Sequence, residues 1–286
     1  MVKALLAGGV VAAGSLLSVG CTQHAPIRVM SFNIRYAAAE DGPNIWDRRR
    51  ALAVETIRAN DPDIFGLQEP LAAQVADLRA ALPDYGFVGV GRVDGVAESE
   101  FVPIFFRLKR FTLLEHGHVW LSEQPDKPGS IGWDAALTRM ATWVHLRFND
   151  APHDELQVIN THFDHAGEKA RLESARLLRR LVESLGGRPV IVLGDFNCET
   201  TTEPYRALTA IQGERLVLRD AFATSTDLGG TWHAFTGVPR GGRIDWILCS
   251  PCFDCREAVV DRRSFDGRYP SDHFPVVATL RWKSSP

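Results

Sequence analysis

Apolar segments of strand length recur along the chain and are separated by polar stretches. Continuous apolar runs, bounded by turn-forming residues, predict strands at 28–33, 63–67, 156–160, 189–193, 243–248 and 274–280. Between residues 85 and 148 the pattern also favours strands, around 88, 101–106, 111–121 and 142–148. These runs are apolar enough to be covered on both faces, which is typical of sheets packed between other layers.

Helical patterns lie between the strands. Residues 47–60 are a predicted helix with Asp47 as its cap, and residues 71–82 are a second one. In 168–185 leucines recur at helical spacing, and Gly186 and Gly187 follow as a stop signal. About ten strands interspersed with helices predict an α+β (α/β) fold.

The N-terminal segment differs from the rest of the chain. Lys3 is followed by an uncharged, glycine-containing run from 4 to 20, which is shorter than a membrane span requires. We interpret 1–21 as a signal peptide whose end resembles a bacterial lipoprotein cleavage site, with the cut before Cys21. We expect an exported protein, either membrane-anchored by a lipid on Cys21 or periplasmic or extracellular. A soluble exported protein and an uncleaved anchor are the alternatives.

Composition narrows the class of protein. The 286 residues are 45% hydrophobic and 23% charged, and 32 Lys+Arg against 35 Asp+Glu give a net charge of −3. These values are those of an ordinary soluble globular protein and exclude disordered, collagen-like and coiled-coil chains. They show no sign of the large basic field by which many proteins hold nucleic acid.

Three cysteines form a C-x-x-C-x-x-C pattern at Cys249, Cys252 and Cys255. A metal or cluster site would need a fourth ligand at matching spacing, and none is present. We therefore favour a local disulfide or loop thiols at this position. The pairing of these cysteines and of Cys198 stays open.

Polar side chains with catalytic chemistry follow or precede the predicted strands. The positions are Asn33, Gln68 and Glu69, Thr161 and His162, Asp195 and Asn197, Asp245, and Asp272 with His273. A single one of them would be read as a turn residue. Burying so many unpaired polar groups would cost several kcal/mol, and open α/β sheets gather their ligands at one strand edge. We therefore predict one shared site.

The residue types indicate which metal such a site would hold. Carboxylates and carboxamides are hard oxygen donors, suited to Mg²⁺ or Mn²⁺ rather than to Zn²⁺. His162 and His165 are the only candidate zinc pair, and no other soft ligand joins them. We expect one or two Mg²⁺ ions, with Mn²⁺ as the alternative.

Six motifs carry a family resemblance. Residues 31–34, 67–69, 160–165, 194–197, 242–245 and 271–276 resemble, in order, the motif series of the endonuclease/exonuclease/phosphatase superfamily, which shares the pancreatic-deoxyribonuclease fold. They cover about residues 27–282. Segments 41–46, 90–92 and 132–134 further resemble an exported bacterial subgroup. Ile34 and Arg35 stand where some DNA-repair members carry an acidic residue, which disfavours a repair nuclease.

The resemblance implies a four-layer sandwich, with two facing mixed β-sheets flanked by helices, formed by one domain over 22–286. It implies metal binding by Glu69, Asn33 and Asp272. The implied catalytic residues are Asp195, which aligns or deprotonates water, Asn197, which holds it, His162 and His273, which donate to phosphoryl oxygens, and Asp245, which orients His273. Whether Asp195 or His273 is the general base stays open. Arg35, Arg107 and Arg139 are candidate substrate contacts, although surface ion pairing is the simpler interpretation of each.

These features favour an exported Mg²⁺-dependent phosphoesterase acting by in-line water attack on a phosphate mono- or diester, with a small or lipid-linked substrate preferred. A secreted nuclease is the first alternative, but a net charge of −3 does not favour nucleic acid as partner. A catalytically inactive binding protein on the same fold is the second. We expect a monomer.

Overall fold

The computed structural model describes residues 25–210, 218–227 and 229–283. The predicted signal peptide and Cys21 lie outside the described residues. Twelve strands and four α-helices are formed in the described part of the chain. None of these helices combines the length and the apolar character that crossing a membrane requires.

The first sheet, here called sheet A, has six strands in the order β11-β12-β1-β2-β4-β3. Strands β1 and β2 are parallel, and the other pairs are antiparallel. The bounds are β1 Ile27–Asn33, β2 Ile64–Gln68, β3 Tyr85–Val88, β4 Ile104–Arg107, β11 Phe253–Val260 and β12 Val276–Trp282.

The second sheet, sheet B, has six strands in the order β5-β6-β7-β8-β10-β9. Strands β7 and β8 are parallel, and the remaining pairs are antiparallel. The bounds are β5 Phe111–Trp120, β6 Met140–Phe148, β7 Glu155–His162, β8 Val190–Asp195, β9 Arg219–Asp220 and β10 Asp245–Cys249.

Three apolar layers hold the sheets and helices together. A cluster between the sheets joins residues of sheet A such as Val29 and Ile64 to residues of sheet B such as Val158 and Leu193. The outer face of sheet A packs on α1 Trp46–Asn60 and α2 Ala72–Ala81, and that of sheet B on α3 Glu168–Ser184 and α4 Glu203–Thr209. The predicted four-layer sandwich of two mixed sheets flanked by helices is confirmed.

The predicted helices form close to their expected bounds. Asp47 is not the cap of α1, because that helix begins at Trp46 and Asp47 lies in its first turn. The start of α3 is capped from a distant loop: the Asp134 carboxylate accepts hydrogen bonds from the backbone N–H groups of Lys169 and Ala170, at 3.2 and 2.6 Å. A carboxylate in this position also interacts favourably with the helix dipole.

Hydrogen bonds of one buried asparagine connect the two sheets. Asn160 on β7 donates to the backbone oxygens of Leu67 and Pro103, both at 2.8 Å, and accepts from Gln68 Nε2 at 2.7 Å. The sheets come this close because Gly66 has no side chain: a Cβ there would lie 2.4 Å from the Asn160 amide carbon. Buried Asn160 is thereby bonded through both ends of its amide.

The topology brings the predicted site residues to one edge of the sandwich. Strands β1 and β2 end there in sheet A, and β7 and β8 end there in sheet B. Strands β10 and β12 begin at the same edge, because each runs antiparallel to a neighbour that ends there. Side chains at the ends of these six strands therefore surround a common space.

Candidate active site

A cavity of about 580 Å³ opens at this edge. Its volume is in the range of small-molecule sites. It is lined by Arg35, Tyr36, Glu69, Glu100, Leu137, Arg139, His162, His165, Asp195, Asn197, Trp232, Ile244, Asp272 and His273. Most of the sequence-predicted site residues thus meet in one place, while Asn33 and Asp245 lie directly behind the cavity wall as buried partners of these residues.

Asp195 occupies the centre of a row of three charged or polar residues on sheet B. The register pairs it with His162 of β7 on one side and with Asp245 of β10 on the other. All three side chains are buried. Two neighbouring carboxylates repel each other, so an arrangement of this kind needs a compensating positive charge.

His273 supplies that charge. Its Nδ1 lies 3.0 Å from Asp245 Oδ2 and its Nε2 lies 3.9 Å from Asp195 Oδ2. Burial opposes protonation of the ring, but Asp245 and Asp195 outweigh it and raise the pKa of His273 above its ordinary value. The imidazole is therefore held as a cation that is fixed from one side and faces the cavity with the other.

Burial and the neighbouring Asp245 carboxylate raise the pKa of Asp195 above its ordinary value, while His273 opposes the shift. A raised pKa makes a carboxylate a better proton acceptor near neutral pH. Asp195 also keeps its orientation, because its Oδ1 accepts from the backbone N–H of Asn197 at 2.9 Å and its Oδ2 from Asn33 Nδ2 at 3.0 Å.

Asn33 lies between two carboxylates and presents its nitrogen to both. Its Nδ2 donates to Glu69 Oε1 and to Asp195 Oδ2, each at 3.0 Å. Its amide oxygen accepts the backbone N–H of Arg35 at 3.0 Å. In this arrangement Asn33 links Glu69 to Asp195, and its part in metal binding stays a prediction.

The oxygen donors at the cavity fit a divalent cation of the Mg²⁺ type. Glu69 and Asp272 both line the cavity, beside the buried Asp195. Carboxylate oxygens are the ligands that Mg²⁺ prefers. Within the described residues the tightest cluster of candidate ligand atoms is Asp195, Asp245 and His273, whose atoms lie within 4.8 Å of one another. Since His273 is held there as a cation between two carboxylates, Glu69 and Asp272 are the better candidates for the metal.

His162 and Asn197 form a second pair in the cavity. Asn197 Nδ2 donates to the Phe163 carbonyl at 3.0 Å and lies 3.1 Å from His162 Nε2, which must therefore accept. Burial, with Arg139 and Arg92 nearby, lowers the pKa of His162 well below its ordinary value. His162 is neutral and orients the Asn197 amide. A neutral ring that accepts at Nε2 carries its hydrogen on Nδ1, and donation to a phosphoryl oxygen stays a prediction.

Of the three candidate substrate arginines, two line the cavity. Arg35 bonds Asp41 through Nε and Nη2, both at 3.0 Å, and its Nη1 lies 3.9 Å from Asp272 Oδ2. Arg139 is buried against Asp164, with 3.3 Å between Nε and Oδ2. Both guanidinium groups are therefore already paired with carboxylates of the protein.

Arg107 lies away from the cavity, and the expectation that it contacts substrate is wrong. It ends β4, which runs antiparallel to β2, so its side chain is at the opposite edge of sheet A. There it bonds the Asp61 carboxylate and the Tyr85 hydroxyl.

Three cavity residues adopt left-handed backbone conformations: Arg35 with φ 57°, Glu69 with φ 72° and Asn197 with φ 49°. Such conformations are costly for residues other than glycine and cluster at functional sites. Each follows a strand end, where the left-handed turn redirects the chain. Gly194, directly before Asp195, allows a close approach of two strands, because a Cβ there would lie 2.2 Å from the Thr161 carbonyl oxygen.

A buried arginine joins the turn after β1 to the turn before β12 that carries Asp272, and no sequence pattern pointed to it. Arg49 on α1 donates to the backbone oxygens of Ile34, Arg35, Asn44 and Pro270. Burial lowers its pKa to about 10. It therefore holds the turn after β1 against the turn before β12. Ser271 strengthens this junction, since its hydroxyl donates to the Asn33 carbonyl at 2.7 Å.

Glu100 is a second residue that the sequence analysis missed. It lines the cavity, with Oε2 2.7 Å from Arg92 Nη1 and 3.9 Å from His162 Nδ1. Burial raises its pKa, although Arg92 opposes the shift. Glu100 lies in a loop before β4 and outside any strand-end motif, so only the resemblance of segment 90–92 pointed to this region.

The structure also shows the surroundings of His165 and of the cysteines. His165 Nδ1 lies 3.0 Å from Arg139 Nη2, so this ring nitrogen has a partner within the protein. Cys198, Cys249, Cys252 and Cys255 are free thiols, so the local disulfide offered as one interpretation is not formed. Cys249 ends β10 and Cys255 lies in β11, which leaves only Cys252 in the turn between these strands.

Comparison with known proteins agrees with this geometry. The profile of the Endonuclease/Exonuclease/phosphatase family matches residues 30–273. An endonuclease/exonuclease/phosphatase family protein of Bacteroides thetaiotaomicron is 36% identical, with 91% of this chain and 100% of that chain covered and a TM-score of 0.85. The mannosyl-6-phosphatase of Bacteroides thetaiotaomicron VPI-5482 is 37% identical, with 89% and 99% covered and a TM-score of 0.82.

An uncharacterised protein of Acanthamoeba polyphaga mimivirus, L388, is 30% identical over 54% of this chain, and the aligned part spans 60% of that protein's length. The family match spans most of the chain and contains the strand ends described above. The chain therefore belongs to the endonuclease/exonuclease/phosphatase family.

Proposed function

We propose that the protein is an exported, Mg²⁺-dependent phosphoesterase that hydrolyses a small phosphate ester, with a sugar phosphomonoester as its preferred substrate class. The observation that carries the proposal is the row of Asp245, His273 and Asp195 beside Glu69 in a single cavity. It combines a positioned cation, a carboxylate with a raised pKa and a hard oxygen ligand. In-line attack on phosphorus needs each of these groups.

Glu69 and Asp272 would hold Mg²⁺, or Mn²⁺ in its place, with Asn33 fixing the Glu69 carboxylate from behind. When bound, the ion supplies positive charge to the phosphoryl oxygens. The backbone N–H of Tyr36 donates to Glu69 Oε2 at 3.1 Å, so each of the two carboxylate oxygens has a fixed donor.

The protein groups account for the remaining steps. Water attacks phosphorus, the ester P–O bond breaks, and the products are inorganic phosphate and an alcohol whose oxygen receives a proton. Asp195, with its raised pKa, is placed to orient or deprotonate the water, and the His273 cation is placed to stabilise charge on a phosphoryl oxygen. This distribution of charge favours Asp195 over His273 as the general base, because an imidazolium has no free lone pair to accept a proton. Asn197 has both amide hydrogens bonded, to the Phe163 carbonyl and to His162, so its Oδ1 is the atom placed to hold the water.

The charges around the cavity support a small ester over a polynucleotide. Arg35, Arg92 and Arg139 are paired with Asp41, Glu100 and Asp164, respectively. A polynucleotide would need further unpaired cations along a groove to follow its phosphates. The similarity to a mannosyl-6-phosphatase over 89% of the chain further supports a sugar phosphate.

Export and a lipid anchor at Cys21 belong to the same proposal. Their support is the sequence of residues 1–21 alone. Mass spectrometry of the membrane fraction should find a lipid on Cys21 as the first residue. A mature terminus at another residue would reject the anchor.

A substrate panel tests the catalytic proposal. Purified protein with Mg²⁺ should release phosphate from sugar phosphates faster than it degrades plasmid DNA or RNA. Glu69→Gln should abolish turnover and Mn²⁺ binding, the latter measured by electron paramagnetic resonance. His273→Asn should abolish turnover and retain Mn²⁺ binding. Glu257→Gln, at a half-exposed position on β11, is the matched control and should behave as wild type.

Each outcome of the panel decides between the candidate functions. Faster cleavage of nucleic acid than of small esters would establish the nuclease alternative and reject the sugar phosphate. Absence of turnover on every ester, together with absence of Mn²⁺ binding, would reject the enzyme and favour a binding protein on this fold.

A further inference from the structure

A tryptophan at the cavity rim has no role in the chemistry described above. Trp232 lines the cavity and keeps 36% of its surface exposed. Most large aromatic side chains of a folded protein are buried, because exposing them forgoes a large hydrophobic contribution. An exposed indole inside a catalytic cavity is thus a candidate contact for substrate.

The backbone of this segment is fixed to the catalytic turn. Trp232 forms an antiparallel bridge with His273, and the Phe274 N–H donates to the Thr231 carbonyl at 2.8 Å. The N–H of His233 donates to the Asp272 carbonyl, also at 2.8 Å. The backbone of Trp232 is therefore held at a fixed position relative to that of His273, and the exposed indole projects from an ordered segment.

The ring itself is held by a cation. The Arg240 guanidinium carbon lies 5.5 Å from the centroid of the Trp232 ring, and the Arg240 N–H donates to the Trp232 carbonyl at 2.8 Å. This cation–π contact restrains the indole before substrate arrives, which lowers the entropic cost of stacking.

The other exposed apolar side chain of the cavity is Leu137, at 40% exposure. Its backbone N–H donates to Asp164 Oδ2 at 3.2 Å, so it too lies on an ordered loop. Polar groups, including Arg139, His165 and Tyr36, occupy the same lining. Isolated apolar surfaces among polar groups do not fit an acyl chain, which would need a continuous apolar groove. They fit a pyranose, which has an apolar face of C–H groups and an edge of hydroxyls.

We propose that Trp232 is the stacking platform for the sugar ring of the leaving group, so that the enzyme selects phosphoesters of cyclic alcohols over acyclic ones. The inference rests on the proposed phosphoesterase function and adds a specificity residue to it. The phosphate is held at the floor by the catalytic groups, and the ring beyond the ester oxygen lies on the indole.

Kinetics with two esters test the platform. We expect Trp232→Ala to lower the ratio of kcat/KM for mannose 6-phosphate to kcat/KM for glycerol 3-phosphate by about tenfold, the order of one lost stacking contact, with the change mainly in KM. Trp232→Phe retains an aromatic face and should recover most of the ratio. Val238→Ala removes another exposed apolar side chain, 66% exposed and outside the cavity lining, and should leave the ratio at its wild-type value.

A binding measurement separates failure of the platform from failure of the proposed function. In saturation-transfer NMR, the ring protons of the non-hydrolysable 6-phosphonate of mannose should receive magnetisation from wild-type protein and lose it in Trp232→Ala. An equal loss of kcat/KM on both esters, with unchanged ring contacts, would overturn the platform while the phosphoesterase stands. A larger loss on nucleotides than on sugar phosphates would assign the indole to a nucleobase and overturn the sugar. Turnover of neither ester by wild type, with no ring contacts, would overturn both proposals.

Discussion

Nδ1 of His273 lies 3.0 Å from Oδ2 of Asp245, and this pair joins the two sheets of the sandwich. Asp245 begins β10 in sheet B, whereas His273 stands in the turn before β12 in sheet A. Both side chains are buried, and the Asp245 carboxylate helps to raise the pKa of His273. The raised pKa of His273 therefore requires the two sheets to be packed in their native arrangement.

Asp245→Asn should lower kcat by about 10²- to 10⁴-fold, the range seen when the carboxylate partner of a catalytic histidine is made neutral. The amide keeps the size of the side chain but removes the charge that stabilises the imidazolium. Steady-state kinetics on the preferred ester measure the effect. Asp254→Asn on β11, at a half-exposed position beside Lys283, is the control. Full activity of Asp245→Asn would show that the charge of His273 has no part in turnover.

Asn160→Ala should lower the free energy of unfolding by about 3 kcal/mol, because two carbonyl oxygens and the Gln68 amide lose their buried partner. Urea unfolding followed by circular dichroism measures it. Asn149→Ala is a matched control, since exposed Asn149 also donates to two carbonyl oxygens, at 3.0 and 3.2 Å, which water can replace. Equal losses for the two variants would contradict an inter-sheet role for Asn160.

Arg49→Lys should weaken Mn²⁺ binding severalfold and lower stability by about 2 kcal/mol, because one ammonium cannot reach carbonyl oxygens on three segments. Electron paramagnetic resonance and thermal unfolding give the two quantities. Arg50→Lys is the control, since exposed Arg50 bonds only Asp77 among the contacts described. Wild-type Mn²⁺ affinity in a destabilised Arg49→Lys protein would limit Arg49 to a structural role.

Acid should loosen the loop that carries Leu137 and Arg139. Burial opposes ionisation of Asp164, but N–H donors from Gly167, Ala136 and Ala166 outweigh it and lower its pKa to about 2. A lowered pKa in the folded state stabilises the fold above the unfolded-state value of about 4, and this contribution is lost as pH falls from there to about 2.

Urea unfolding between about pH 5 and about pH 2 measures this contribution. The interval covers the unfolded-state pKa of about 4 and the folded-state pKa of about 2 of Asp164. Asp164→Asn should make the fall in stability over this range shallower than in wild type, because the titrating group is absent. Asp150→Asn, at an exposed position, should reproduce the wild-type slope. A wild-type slope in Asp164→Asn would exclude the carboxylate as its source.

The strand-end motifs could be located from sequence because burial and topology act together on them. Apolar runs marked the strands, and the carboxyl ends of parallel strands meet at one sheet edge. The same argument fails for Arg107, which also ends a strand. Its strand is antiparallel to β2, so its end lies at the opposite edge of the sheet. The direction of a strand cannot be inferred from the local pattern of apolar residues.

Three residues at or beside the site could not be found from sequence patterns. Glu100, Trp232 and Arg49 lie on a loop, on a bridge beside the catalytic turn and on a helix, and none occupies a strand end. Their importance comes from contacts with residues far along the chain. Arg49 and Pro270, for example, are separated by 221 positions.

The chemistry available to the site could be inferred from sequence, because hard oxygen donors and imidazoles at the ends of apolar strands are a local pattern. How each group is used depends on the folded arrangement. It set Asn33 with its nitrogen toward Asp195, 162 positions away, and made His162 neutral and His273 cationic. Orientation and charge depend on burial and on partners from the opposite sheet, and these exist only after the two sheets have packed.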